Sequence, residues 1–254
     1  MAYKITPNYF AAKILPDEFN VPFKLHSVSF DRCNFRCGFC NFENRHSEEY
    51  KNYSEEEFHN LVSTLLKDGR FFKFTGGEPT LNRYLFRDIE FVKTSGGMVF
   101  LDTNGSNPDV IKELAEGSYI DVLGISIKGF DPDEAKKTTN TQNGKICWDN
   151  VFETLRIAEE YEVTTIVTMV FHKGIPFNKL YDFADLLEKY PNVRMKINNL
   201  LKTDYQRGHF EKNDEVQLQY EVEKLIQNRP MWKGRITLVN SNDATTNNDA
   251  VVFL

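Results

Sequence analysis

Three of the chain's four cysteines, Cys33, Cys37 and Cys40, fall in one C-x3-C-x2-C run. A secreted disulfide framework spreads its cysteines along the chain and usually carries more of them. Thiols this close together read instead as metal ligands, and soft thiolates favour zinc or an iron–sulfur centre. Structural zinc closes a tetrahedron with four ligands, and His46 or Cys147 could supply the fourth. A [4Fe–4S] cube held by three cysteines would leave one iron open to a substrate or cofactor. The spacing by itself leaves both centres open.

The loop sits in an alternating pattern. Residues 26–30 read as a strand that runs directly into the cysteines. Ser54 and Glu57 form a capping-box signal for a helix over 54–68, with Phe58, Leu61, Val62, Leu65 and Leu66 on one face and Gly69 at its end. Strands are expected at 71–75, 98–102, 120–127, 163–171 and 193–200. Helices are expected at 83–94, 108–116, 149–161, 178–189 and 213–228, and a last strand near 235–240. Strands separated by helices imply parallel pairing with right-handed crossovers. Six such units are too few for a closed eight-stranded barrel. They predict an α/β fold, a partial (β/α)6 barrel.

One domain over 1–254 is expected: an N-terminal extension (1–25), a barrel core (26–200), then a C-terminal helix and tail (201–254). Pro7, Pro16 and Pro22 make the extension read as irregular. The Asn-rich run 241–249 reads as a loop.

Composition narrows the function. The chain is 41% hydrophobic and 27% charged, enough for a core. Its net charge of −6 makes it a poor binder of nucleic acid, which needs a basic face. No apolar run reaches the roughly 18 residues of a membrane span, and the start lacks the apolar core of a secretory signal. A cytoplasmic protein is expected, with no nucleic-acid or membrane partner.

Further candidates cluster at strand ends, where parallel α/β folds bind ligands. Gly76, Gly77, Glu78 and Pro79 stop the second strand; two glycines let the backbone approach a ligand closely. Asp102 and Asn104 end the third strand. Ser126 and Lys128 end the fourth.

The C-x3-C-x2-C spacing, with Phe39 directly before the last cysteine, resembles the radical S-adenosylmethionine (radical SAM) superfamily. The order of Gly76-Gly77-Glu78, Asp102 to Gly105, Lys128 and the turn at 171–174 over roughly residues 26–200 is similar to the pyruvate formate-lyase activating enzyme branch. The resemblance implies a [4Fe–4S] cluster on Cys33, Cys37 and Cys40 and a bound SAM. The SAM contacts it implies are Phe39, Gly76, Gly77, Glu78, Asp102, Asn104, Ser126 and Lys128. It implies reductive cleavage of SAM to a 5′-deoxyadenosyl radical that takes a hydrogen atom from a protein or peptide. Single-cluster chemistry on a ribosomal peptide, a small molecule or a nucleotide is the alternative.

A flavodoxin-like or ferredoxin-like electron donor is the implied partner, with Arg32, Arg36 and Arg45 as its docking patch. In that branch the fourth strand ends Asp-x-Lys, and its aspartate helps hold a monovalent cation; here the position is Ser126. Outside the loop only Cys147 remains, too few thiols for a second cluster. It reads as a small apolar residue, or as a hydrogen-atom donor. His26, His59, His172 and His209 read as surface or turn residues, with His172 the one that could face a substrate.

Overall fold

A computed structural model of the chain describes residues 3–10, 24–40, 50–200, 210–240 and 251–253. A single sheet runs in strict chain order. Its strands are β1 (Tyr3–Phe10), β2 (Lys24–Phe30), β3 (Phe71–Gly76), β4 (Met98–Thr103), β5 (Val122–Ile127), β6 (Thr164–Phe171), β7 (Val193–Asn199), β8 (Ile236–Val239) and β9 (Val251–Phe253). Strands β2 to β8 are parallel, and β1 and β9 add antiparallel edges. The helices are α1 (Glu55–Leu65), α2 (Leu85–Thr94), α3 (Pro108–Glu116), α4 (Pro132–Thr139), α5 (Asn150–Glu160), α6 (Asn178–Leu187) and α7 (Glu215–Asn228). The expected partial barrel is therefore present, with β8 as the strand foreseen near 235–240.

Local chemistry explains the boundaries. Ser54 and Glu57 close the capping box on α1: the Ser54 N–H donates to Glu57 Oε2 at 2.7 Å, and the Glu57 N–H donates to Ser54 Oγ at 3.1 Å. Pro108 opens α3. Three strands and helices depart from expectation, the first being β9, which pairs antiparallel with β8 beyond the strand expected to be last. The extension is not irregular throughout, because residues 3–10 form an edge strand. Pro7 lies on it, and the register slips between Thr6 and Tyr9, as a proline without an N–H tolerates only at an edge or bulge. Helix α4 was also unforeseen. Asp131 caps it and Asn140 closes it in the left-handed region, but Ala135 and Thr139 are its only buried residues, so no apolar stripe announced it. Pro16, Pro22 and the Asn-rich run lie outside the described residues.

Strand alternation sorts the side chains. Outward residues such as Phe72, Phe74, Leu101, Leu123 and Val167 join the helices in the main core. Inward residues change character along the barrel axis. At the foot, Leu25, Phe71, Phe100, Val122 and Ile166 form a separate apolar plug. Toward the carboxyl ends of the strands the inward positions turn polar: Lys73 and Thr75 on β3, Asp102 on β4, Ser126 on β5, Thr168 on β6, Lys196 and Asn198 on β7. The barrel is thus closed below and polar at its mouth.

Phe30 and Phe74 stack, fully buried, under the ends of β2 and β3, with ring centroids 6.5 Å apart. They set the platform from which the cysteine loop departs. Phe74→Ala is expected to destabilise the fold by about 3–5 kcal/mol, read as a lower urea midpoint with an unchanged slope.

Candidate active site

The cysteine loop leaves β2 at Phe30 and is pinned from two sides. On one side the parallel pairing of β2 and β3 continues past the strands: the Gly77 N–H donates to Phe30 O at 2.8 Å, and the Glu78 N–H to Arg32 O at 2.6 Å. Glycine is required here for steric reasons. Gly76 has φ +107, in the left-handed region. A Cβ on Gly77 would stand 1.9 Å from Arg32 O. The glycines press against the protein's own loop, not only against a ligand. On the other side, the Arg36 N–H donates to Thr139 O (3.0 Å) and the Gly38 N–H to Thr138 O (3.3 Å), both at the end of α4.

A polar knot fixes the next strand end. Glu78 is fully buried. Its Oε1 accepts from the Thr80 N–H (3.1 Å), Thr80 Oγ1 (2.6 Å) and Thr103 Oγ1 (2.6 Å), and its Oε2 accepts from the Asn104 N–H (2.6 Å). Burial pushes its carboxyl up, and these donors pull the other way without offsetting it. Glu78 is not among the described residues lining the cavity, so its place is a brace between β3 and β4. What it positions is Asn104, whose Nδ2 donates to Asn34 Oδ1 at 2.8 Å and lies 3.8 Å from Cys33 Sγ. Asn34 in turn donates to Ser106 Oγ at 2.9 Å.

These contacts surround a cavity of about 260 Å³ at the barrel mouth. Cys33, Cys37, Cys40, Phe39, Gly76, Gly77, Asp102, Asn104, Ser126 and Lys128 all line it. The structure therefore brings together every expected site residue except Glu78. It adds Phe35, Thr75, Thr103, Thr168, Val170 and Asn198, which sequence reasoning missed. Several of these are inward positions of foreseen strands, so alternation was the signal that could have found them.

Charge at the mouth is balanced locally. Burial pushes the Cys37 thiol up to about 11; Lys128 pulls it down, while Cys33 and Cys40 push it further up. Lys128 Nζ also sits 5.8 Å from the Phe39 ring centroid. For Asp102, burial opposes its charge, but the Lys73 ammonium at 3.0 Å, with Lys196 and Lys128 beyond, outweighs it and holds the carboxyl below its ordinary value. Thr75 Oγ1 donates to the same Asp102 oxygen at 3.2 Å. Gly124 makes room for this arrangement, since a Cβ there would lie 2.8 Å from Asp102 Oδ1.

The donor set suits a multi-atom cluster. Three thiols from one short loop line the same cavity, and neither a histidine nor Cys147 lines it with them among the described residues. A set of three soft thiolates fits a [4Fe–4S] cluster with one iron left open. Cys147 is buried, belongs to the same apolar cluster as Phe35 and Leu200, and does not line the cavity. It sits on an unforeseen π-helical turn, Lys145–Asp149.

His172 stays outside the cavity, its Nδ1 2.9 Å from Lys173 O. His26 was expected at the surface but is buried, with Nε2 3.1 Å from Gly69 O. Arg32 and Arg36 are exposed beside the loop. Arg45, His46 and His209 lie outside the described residues. No helix among the described residues is long and apolar enough to cross a membrane.

The profile of the Radical SAM superfamily matches residues 27–187. A protein of Methanocaldococcus jannaschii described as a glycyl-radical enzyme activating enzyme is 34% identical over 97 residues, 38% of this chain and 40% of its own. One of Thermococcus kodakarensis described as a GTP 3′,8-cyclase is 26% identical over 187 residues, 72% of this chain and 59% of its own. The chain thus matches less than two thirds of either relative's length. Among solved structures, Streptococcus suis SuiB bound to its precursor peptide SuiA superposes with a TM-score of 0.67 at 18% identity, covering 80% of this chain and 46% of that one.

Gly77→Ala tests the strap between β3 and the cysteine loop. The variant is expected to lose iron after anaerobic reconstitution, together with SAM binding, because the added methyl group drives Arg32 and the loop away. Full iron content with loss of SAM binding alone would mean that Gly77 serves only the ligand.

Proposed function

The chain belongs to the radical SAM superfamily, and on that premise we propose that it is an enzyme that takes a hydrogen atom from a substrate admitted to the barrel mouth. The observation carrying this reading is the convergence of three loop thiols and the strand-end residues of β3, β4 and β5 on one cavity. Cys33, Cys37 and Cys40 would hold a [4Fe–4S] cluster. The backbone at Gly76 and Gly77, with Asn104, would hold the methionine end of SAM, and Ser126 and Lys128 would stand beside it. When bound, cluster and SAM supply the 5′-deoxyadenosyl radical on one-electron reduction.

The chain's own part is placement and shielding. Asn104 is fixed by its N–H bond to Glu78 and orients Asn34 against the loop. Phe35 and Phe39, both buried, keep water from the thiols. Lys128 offsets negative charge gathered at Cys37. The apolar plug closes the barrel below, so a reactive species formed at the mouth meets no solvent from that side. The exposed Arg32 and Arg36 offer a basic face beside the loop on an otherwise acidic chain, suited to an acidic flavodoxin-like or ferredoxin-like donor.

For the substrate, a protein or peptide segment is the first reading. Its support is the similarity to a glycyl-radical activating enzyme and the shared fold with a peptide-bound enzyme. A small molecule or nucleotide is the second. Its support is the similarity to a nucleotide cyclase and the cationic lumen described below.

The reduced, reconstituted protein is expected to convert SAM to methionine and 5′-deoxyadenosine. Cys33→Ala, Cys37→Ala and Cys40→Ala should each fall to the rate without enzyme. Deuterium should move from a labelled substrate into 5′-deoxyadenosine. A cysteine variant that still cleaves SAM would remove the assignment of the cluster.

A further inference from the structure

Below the cavity the lumen holds polar groups for which generating a radical gives no reason. Lys73, Asp102 and Lys196 project inward from β3, β4 and β7, close enough that Lys196 feels both the repulsion of Lys73 and the pull of Asp102. Lys73 has its counter-ion, Asp102, at 3.0 Å. Lys128, at the mouth, faces the thiols. Lys196 makes no ion pair of its own among the described residues. It is half-buried, and the plug of Phe71, Phe100 and Ile166 blocks the foot of the barrel, so its ammonium can reach water only toward the cavity.

A second feature on the same strand points the same way. Asn198, one inward position nearer the mouth than Lys196, lines the cavity, and its buried Oδ1 has no hydrogen-bond partner among the described residues. Buried amide oxygens are normally satisfied. Thr168 stands opposite Lys196 in the β6–β7 register and also lines the cavity. Asp102, already engaged by Lys73 and Thr75, is the one carboxylate among the described lining residues. Among the described residues, a cation without an ion pair of its own thus lies in register with a hydroxyl and one inward position below an unsatisfied amide oxygen, both of which line the cavity. Stability alone gives no reason for them, since an apolar residue at position 196 would extend the plug and avoid the cost of burying charge.

We propose that Lys196, backed by Lys73 and flanked by Thr168 and Asn198, is the floor of the substrate chamber and binds an anionic group of the substrate, a carboxylate or a phosphate. Lys196 supplies the charge, Thr168 a hydroxyl donor, and Asn198 Oδ1 an acceptor for an N–H or O–H next to the anion. Such an anchor sets how far the substrate descends, and so which C–H faces the mouth. The inference deepens the reading of this barrel as a radical SAM substrate chamber and rests on it.

The test uses the full chain, reconstituted and supplied with SAM, under anaerobic conditions. Amine acylation is followed at each lysine by peptide mass spectrometry, with inorganic phosphate, succinate or a glutamyl tripeptide added in turn. At saturation at least one of these anions should slow acylation of Lys196 about tenfold and leave the exposed Lys67 unchanged. Sodium chloride at matched ionic strength should not protect, since screening is not specific binding. Protection by phosphate points to a phosphorylated substrate, by succinate to a small carboxylic acid, and by the tripeptide alone to an acidic peptide. Calorimetry gives a reading independent of labelling: Lys196→Met should weaken the protecting anion at least about tenfold, the loss of one charge-assisted contact.

Failure of all three anions to protect Lys196, equal protection by chloride, or unchanged affinity in Lys196→Met would overturn the proposal. SAM cleavage is measured on the same preparation. A protein that cleaves SAM without protecting Lys196 removes only the anion floor, whereas one that fails to cleave SAM removes the chamber reading itself.

Discussion

The site depends on two backbones approaching closer than side chains allow. Gly76 and Gly77 bring the end of β3 against Phe30 and Arg32, so that N–H groups of residues 77 and 78 continue the sheet into the cysteine loop. The loop with three thiols has only a small apolar cluster beneath it, around Phe35, Phe39 and Cys147. It borrows order from this strap and from the carbonyls of Thr138 and Thr139 at the end of α4. Because the strap is made of main chain, it fixes the loop without using the thiols, which remain turned toward the cavity.

The barrel's interior then divides the work by height. The apolar foot contributes to stability and shuts out water. The middle carries the charges of Lys73, Asp102 and Lys196. The mouth carries the thiols and the residues proposed to hold SAM. Lys73, 3.0 Å from Asp102, supplies the positive charge beside that carboxylate, and the inward position near the end of β5 is the uncharged Ser126.

Much of this was legible in the sequence because it is local. The cysteine spacing, the Ser54–Glu57 box and the runs of β-branched and aromatic residues each depend on neighbours a few positions away. The parts that were not legible depend on distant partners. The carboxylate of Glu78 is one case: Thr103 and Asn104, some 25 residues on, donate to it, and nothing local to the two glycines announces that. The glycines looked like room for a ligand, yet the nearest atoms they accommodate belong to Phe30 at Gly76 and to Arg32 at Gly77. β1 was hidden by Pro7, which an edge strand tolerates and a central one would not. Lys196 and Asn198 were readable in principle, since the residues alternating with them in β7, Met195 and Ile197, are buried in the core. An inward polar row only acquires meaning once the strand is known to line a lumen.

Electron paramagnetic resonance of the reduced, reconstituted protein, recorded before and after adding SAM, tests most directly whether three thiols leave an iron open beside the residues proposed to hold SAM. A [4Fe–4S] cluster on Cys33, Cys37 and Cys40 should give a low-spin signal whose g-values shift when SAM occupies the fourth position, and the shift should vanish in a variant lacking any one of the three. A spectrum unchanged by saturating SAM, or a protein that takes up one zinc and no iron, would contradict an open cluster at this barrel mouth.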